Sequence, residues 1–129
     1  MAKTEKKTDK AKSSKLPSQV TKAIKAAEDK QALELVVMDL RKADGFTDFF
    51  LIASGGNPRH VRSIADGIVE SLAQAGVKPA HIEGQDRSDW ILIDYFDFVV
   101  HVFGRETRVF YDLERLWGNA DRIPVSEDR

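Results

Sequence analysis

Two apolar runs, residues 90–95 and 98–103, are separated by only Phe96-Asp97. Each run is the length of a strand, and a two-residue gap between strands is the spacing of a tight hairpin. If Phe96-Asp97 is the turn, Asp94 opposes Val99, Leu92 opposes His101 and Trp90 opposes Phe103. Side chains alternate across a strand, so this register sorts them into two faces. Ile91, Ile93, Tyr95, Phe98, Val100 and Val102 form a face without charge, the expected core face. Trp90, Leu92, Asp94, Val99, His101 and Phe103 form the other. That second face mixes aromatics with an acid and a histidine, the composition of a contact surface. A favoured two-residue turn carries glycine at a central position, and Phe96-Asp97 does not.

The rest of the chain supplies what such a hairpin packs against. Val20, Ala23, Ile24 and Ala27 recur at helical spacing behind Ser18, which is placed to cap that helix. Residues 33–40 and 49–53 are apolar and strand-like, with a turn signal at Lys42-Ala43-Asp44-Gly45 between them. Asn57-Pro58 starts the strongest helical stripe, Val61, Ile64, Ala65, Ile68, Val69 and Leu72, and Gly76 is placed to end it. Residues 80–83 suit a short strand and residues 84–89 a polar loop. A last helix is expected over 105–117, with Val109, Phe110, Leu113, Leu116 and Trp117 turned inward. Residues 119–129 are polar and expected to be loose. The order α-β-β-α-β-β-β-α predicts an α/β domain: one mixed sheet with helices packed on it.

Charge divides the chain of 129 residues into three parts. Residues 1–18 hold six lysines against Glu5 and Asp9, a net of +4, with few apolar groups; they are expected to be a disordered basic arm. Residues 19–82 balance at eight charges of each sign. Residues 83–129 carry six arginines against eleven acids, a net of −5. An acidic last third argues against a nucleic-acid face there and suits a basic protein partner, leaving at most a peripheral RNA contact to the arm. There is no cysteine, hence no disulfide and no thiolate metal site. No apolar run approaches the length of a membrane span. A cytoplasmic, non-membrane protein of the bacterial type, rather than an organellar one, is the expectation.

Four blocks in order carry a resemblance to a known family. They are Thr47-Asp48-Phe49-Phe50 with Ile52-Ala53-Ser54-Gly55; Arg59-His60-Val61 with Ile64-Ala65-Asp66; Glu83-Gly84, Asp89 to Tyr95 and Asp97 to Phe103; and Phe110 to Trp117. Over residues 19 to about 118 the chain resembles the Iojap, or ribosomal silencing factor, family. Phe96 departs from it, since that family usually has glycine before the aspartate. The resemblance implies a nucleotidyltransferase-like fold without catalytic residues. It implies docking on the large ribosomal subunit through universal large-subunit ribosomal protein fourteen, on the face that meets the small subunit, and repression of translation under nutrient limitation. It implies no cofactor. A homodimer is compatible with the sequence.

Two other readings compete. A nucleotidyltransferase needs carboxylates two apart on one strand, aimed at one metal pair. Here Asp94 is followed two positions on by Phe96, and Asp39 by Arg41, so the pair is incomplete. Ser54-Gly55-Gly56 before a helix could cradle a phosphate, although a lone glycine pair is weak evidence and a plain strand-to-helix turn is the favoured reading. His60, His81 and His101 are not at metal-ligand spacing. An RNA-binding module would use Arg59, Arg62 and Lys78 with the arm, against a body of net negative charge. The expected docking surface is therefore Trp90, Leu92, Asp94, His101 and Phe103 on the sheet, extended by Tyr111, Asp112 and Glu114, which lie off the apolar stripe of the last helix.

Overall fold

The computed structural model describes residues 16–42, 47–118, 120–123 and 125. The expected arm, up to residue 15, and most of the turn after Lys42 lie outside the described residues. The elements are α1 (Ser18–Asp29), β1 (Leu33–Asp39), β2 (Phe49–Gly55), α2 (Pro58–Gln74), β3 (His81–Glu83), β4 (Trp90–Asp94), β5 (Phe98–Gly104), α3 (Arg105–Tyr111), α4 (Leu113–Leu116) and β6 (Asp121–Ile123). Six strands form one sheet in the order β3-β4-β5-β2-β1-β6. The β2–β5 pair is parallel and the other pairs are antiparallel, so the sheet is mixed as expected.

The hairpin has the predicted register. Trp90 faces Phe103, Leu92 faces His101 and Asp94 faces Val99. Its uncharged face joins the larger core, where Phe49, Leu51, Ile91, Ile93, Phe98, Val100 and Val102 meet Val20, Ala23 and Ala27 of α1 and Val61, Ile64, Ile68 and Leu72 of α2. The α2 start is built as the sequence suggested: Asn57 Oδ1 accepts from the His60 backbone N–H at 2.8 Å, and Pro58 opens the helix. Gly55 lets this helix sit on the strand, since a Cβ there would lie 2.7 Å from the Val61 nitrogen.

The opposite sheet face carries a smaller cluster of Met38, Leu40, Phe50, Ile52, Val99 and Phe103, with Leu113 and Trp117 packed over it. Four expectations change. Ser18 lies inside α1 and makes no side-chain cap; Pro17 holds the cap position, and its carbonyl accepts from Val20 and Thr21. Leu16, expected in the arm, is buried in the main core. Asp121–Ile123, expected to be loose, pairs with β1 as an edge strand, and Ile123 and Val125 are buried in the main core, two apolar residues in a mostly polar tail. The single helix expected over 105–117 is two helices, broken at Asp112 in the left-handed region with φ 46° and ψ 57°. Aspartate is among the few residues that tolerate this conformation.

Candidate functional site

The break at Asp112 has a cause in charge. Residues six apart on a continuous helix point about 120° away from each other around its axis and sit about 9 Å apart along it, so they are not neighbours on one face. Arg108 and Glu114 do meet, because the chain turns between them: Nε and one terminal nitrogen of Arg108 donate to the two carboxylate oxygens of Glu114 at 3.2 and 2.9 Å. The other terminal nitrogen donates to Ser54 Oγ at 2.8 Å and to the Glu34 carbonyl at 2.7 Å. Glu34 sits at an irregularity in the β1–β2 pairing with φ 51°. Arg108 is buried and ties β1, β2, α3 and α4 together. Sequence reading missed it, since a lone arginine in a polar helix stretch gives no burial signal.

Anchoring α3 by a cation turns its apolar residues outward. Val109 is 78% exposed, Phe110 79% and Leu116 71%, the reverse of the inward stripe expected. Only Leu113 and Trp117 of that stripe pack on the sheet, and Trp117 meets Phe50 edge-to-face at 5.9 Å.

The expected docking residues divide by depth. Trp90, Leu92 and Asp94 are half-buried along β4. Tyr111 is exposed and packs its ring on Trp90 at 4.6 Å, with Phe110 beyond it at 5.0 Å. Asp112 is half-buried, and Glu114 is half-buried in its pair with Arg108. His101 and Phe103 are buried beneath them, so they support the surface and do not form it. Phe103 stacks under Trp90 at 5.0 Å. The Trp90 indole N–H donates to His101 Nδ1 at 3.1 Å, and burial pushes the His101 imidazole down to about 4. The imidazole is therefore neutral near pH 7, with its proton on Nε2. The surface as built is an aromatic strip, Trp90-Tyr111-Phe110, with Asp94 further along β4 and Asp112 next to Tyr111; Val109 and Leu116 are further exposed apolar residues of the outer helices.

The features that suggested an enzyme are occupied by internal bonds. The Gly56 N–H, which a phosphate would need, donates to His60 Nδ1 at 2.9 Å, and His60 Nε2 donates to the Lys30 carbonyl at 2.9 Å. Arg41 forks onto Asp39 at 3.0 and 2.7 Å, and this hydrogen bonding holds the Asp39 carboxyl below its ordinary range. His81 pairs with Glu83 at 2.6 Å on the surface. Among the described residues no group of three or more acids and histidines is placed to hold a metal. No described helix is long and apolar enough to cross a membrane.

Comparison with known proteins places this architecture in a family. Residues 13–129 match the family described as Ribosomal silencing factor during starvation. Ribosomal silencing factor RsfS of Halalkalibacterium halodurans is 36% identical over 103 residues, covering 80% of this chain and 88% of that protein. A mouse protein named Mitochondrial assembly of ribosomal large subunit protein 1 is 32% identical over 89 residues, covering 67% of this chain and 39% of its own length. A crystal structure of a Chromobacterium violaceum protein superposes with a TM-score of 0.76 at 33% identity, covering 78% of this chain and 84% of that one. The chain belongs to the ribosomal silencing factor family.

Proposed function

We propose that this chain docks on the large ribosomal subunit through universal large-subunit ribosomal protein fourteen, and so keeps the small subunit from joining, repressing translation when nutrients are short. The observation that carries the reading is the surface strip of Trp90, Tyr111 and Phe110, with Val109 and Leu116 also exposed on the outer helices, on a chain of this family. Aromatic residues are enriched among binding hot spots, and grouped exposed apolar residues mark contact surfaces. Asp94 on β4 and Asp112 next to Tyr111, with the net −5 of residues 83–129, suit a basic ribosomal protein. The name of the mouse relative links that protein to the large subunit, in agreement with this partner. The chain works by binding and not by catalysis, and it does so in the cytoplasm.

Blocking is steric in this reading. A compact body of this size is roughly thirty ångströms across. Bridges between subunits are direct contacts, so a body that wide cannot share one. The test adds the factor to purified subunits before or after they join, and follows joining by light scattering. Joining should be inhibited in the first order of addition and little affected at short times in the second. Excess small subunits should compete the factor off, because exclusion is reciprocal. Normal joining with the factor still bound would overturn the mechanism. Trp90→Ala, with a native circular-dichroism spectrum, should weaken large-subunit binding at least roughly thirtyfold, while Arg59→Ala on α2 should bind normally.

A further inference from the structure

The tip of the β4–β5 hairpin holds a large side chain in a backbone conformation made for glycine. Phe96 has φ 72°. The Asp97 N–H donates back to the Tyr95 carbonyl at 2.8 Å, closing a three-residue turn around Phe96. With positive φ at its centre, this is the rare, strained form of the γ-turn. Four further bonds hold it. The Tyr95 N–H donates to the Phe98 carbonyl at 2.9 Å, the Phe96 N–H to Asp94 Oδ1 at 2.8 Å, the Thr47 hydroxyl to the Phe96 carbonyl at 2.7 Å, and the Asp48 N–H to the Asp97 carbonyl at 3.0 Å. All of them use backbone atoms of the tip or neighbouring side chains, and glycine at position 96 would keep every one. Phe96 is 73% exposed and belongs to neither apolar cluster. The fold gains nothing visible from the ring and carries the strain of having it.

The surroundings of the ring say what it would meet. Asp94 brings a carboxylate oxygen to this turn, where it accepts from the Phe96 N–H, and Asp97 and Asp48 are joined there through their backbones. Arg41, just past the end of β1, is folded onto Asp39 and over the Phe49 ring. An exposed aromatic residue on a turn that carries three aspartates is complementary to a cationic side chain, which gains from the ring quadrupole and from the local negative charge together. The tip also continues the proposed docking strand, since Trp90, Leu92 and Asp94 lead along β4 directly into it.

We propose that Phe96 is an aromatic anchor that receives a lysine or arginine side chain of the basic protein on which the docking strip sits, extending that interface beyond Asp94 to the hairpin tip. This rests on the docking reading above, and the test separates the two. Purified large subunits are titrated with the full chain, with Phe96→Gly, Phe96→Ala and Trp90→Ala, and each variant's Tm is measured. Phe96→Gly should raise Tm by about 3 °C or more, by relieving the backbone, yet weaken binding by about fivefold or more. Phe96→Ala should weaken binding equally without that gain in Tm, because its backbone stays strained. Asp97→Asn should flatten the salt dependence of binding. Phe96→Gly binding as tightly as the unaltered chain, while Trp90→Ala does not, would overturn this proposal and leave the docking strip standing. Failure of the unaltered chain to bind would remove both. A change in self-association on Phe96→Gly, with unchanged subunit binding, would assign the ring to a second copy of the chain and overturn the proposal as well.

Discussion

The indole N–H of Trp90 donates to Nδ1 of His101 across the β4–β5 pair at 3.1 Å, joining a half-exposed surface ring to a buried one. Protonation of His101 must add a proton at that acceptor, inside a cluster of Phe50, Trp90 and Phe103 rings. The imidazole therefore sits at about 4 in the folded chain, against an ordinary 6.5. Between these values the unfolded chain binds a proton that the folded chain does not. Stability should be complete above about pH 6.5 and fall as pH drops toward 4, by up to roughly 3 kcal/mol. Denaturant melts from pH 4 to 7 should show this slope. His101→Gln, whose amide oxygen can still accept from Trp90, should lack it. Equal slopes in both chains would assign the pH dependence elsewhere.

Arg108 should prove the residue that fixes the outer helices. Its guanidinium satisfies Glu114, Ser54 and the Glu34 carbonyl at once, and truncation leaves Glu114 without its partner. Losing one member of a buried pair typically costs about 3–5 kcal/mol. The Arg108→Ala loss should fall near the lower end, since Glu114 can turn to solvent. The main core does not include α3 or α4. Hydrogen exchange should therefore accelerate over residues 105–117 while α2 stays protected. Uniform acceleration across both helices would show that the second face is not separable.

This arginine also marks where the sequence stops being legible. The register of β4 and β5 followed from strict alternation and a two-residue gap, because a one-residue slip would turn Ile91, Ile93 and Val100 to the wrong face. The α2 helix was readable from Asn57, Pro58 and a long stripe. In α3 the same kind of stripe misled: Val109 and Phe110 match helical spacing but are held outward by a buried cation whose partners, Ser54 and Glu34, are 54 and 74 residues away. Periodicity cannot report such a contact. The candidate site was legible in its strand residues for the same reason the hairpin was, whereas its depth was not. Alternation puts Trp90, His101 and Phe103 on one face without saying which of them the outer helices and neighbouring rings cover.

Gly84 should tolerate no side chain. Its φ is +89°, and a Cβ there would lie 2.0 Å from the Trp90 carbonyl oxygen, a backbone atom that cannot swing away. Gly84→Ala must therefore push β3 and its loop off β4 at the point where Trp90 is held. A loss of about 2 kcal/mol or more is expected in denaturant melts, with altered tryptophan fluorescence in the folded state. An unchanged midpoint would mean that the β3–β4 loop shifts freely.

Phe110 separates binding from folding on the outer face. It is 79% exposed, and its described ring contact is Tyr111 at 5.0 Å, so the core does not use it. Phe110→Ser should change stability by less than about 0.5 kcal/mol, the usual range for a surface substitution. In the proposed docking reading the same residue extends the strip from Trp90 through Tyr111, and aromatic interface residues are where truncation is costly. Binding to purified large subunits should then weaken by about tenfold, or ~1.4 kcal/mol. Leu116→Ser, 71% exposed on α4, gives an independent reading of the second outer helix. If both variants melt normally and bind normally, the partner contacts the sheet strand and no more of the outer helices than Tyr111, where the strip ends. If both melt normally and bind weakly, the outward turn of α3 that Arg108 enforces is what makes the surface.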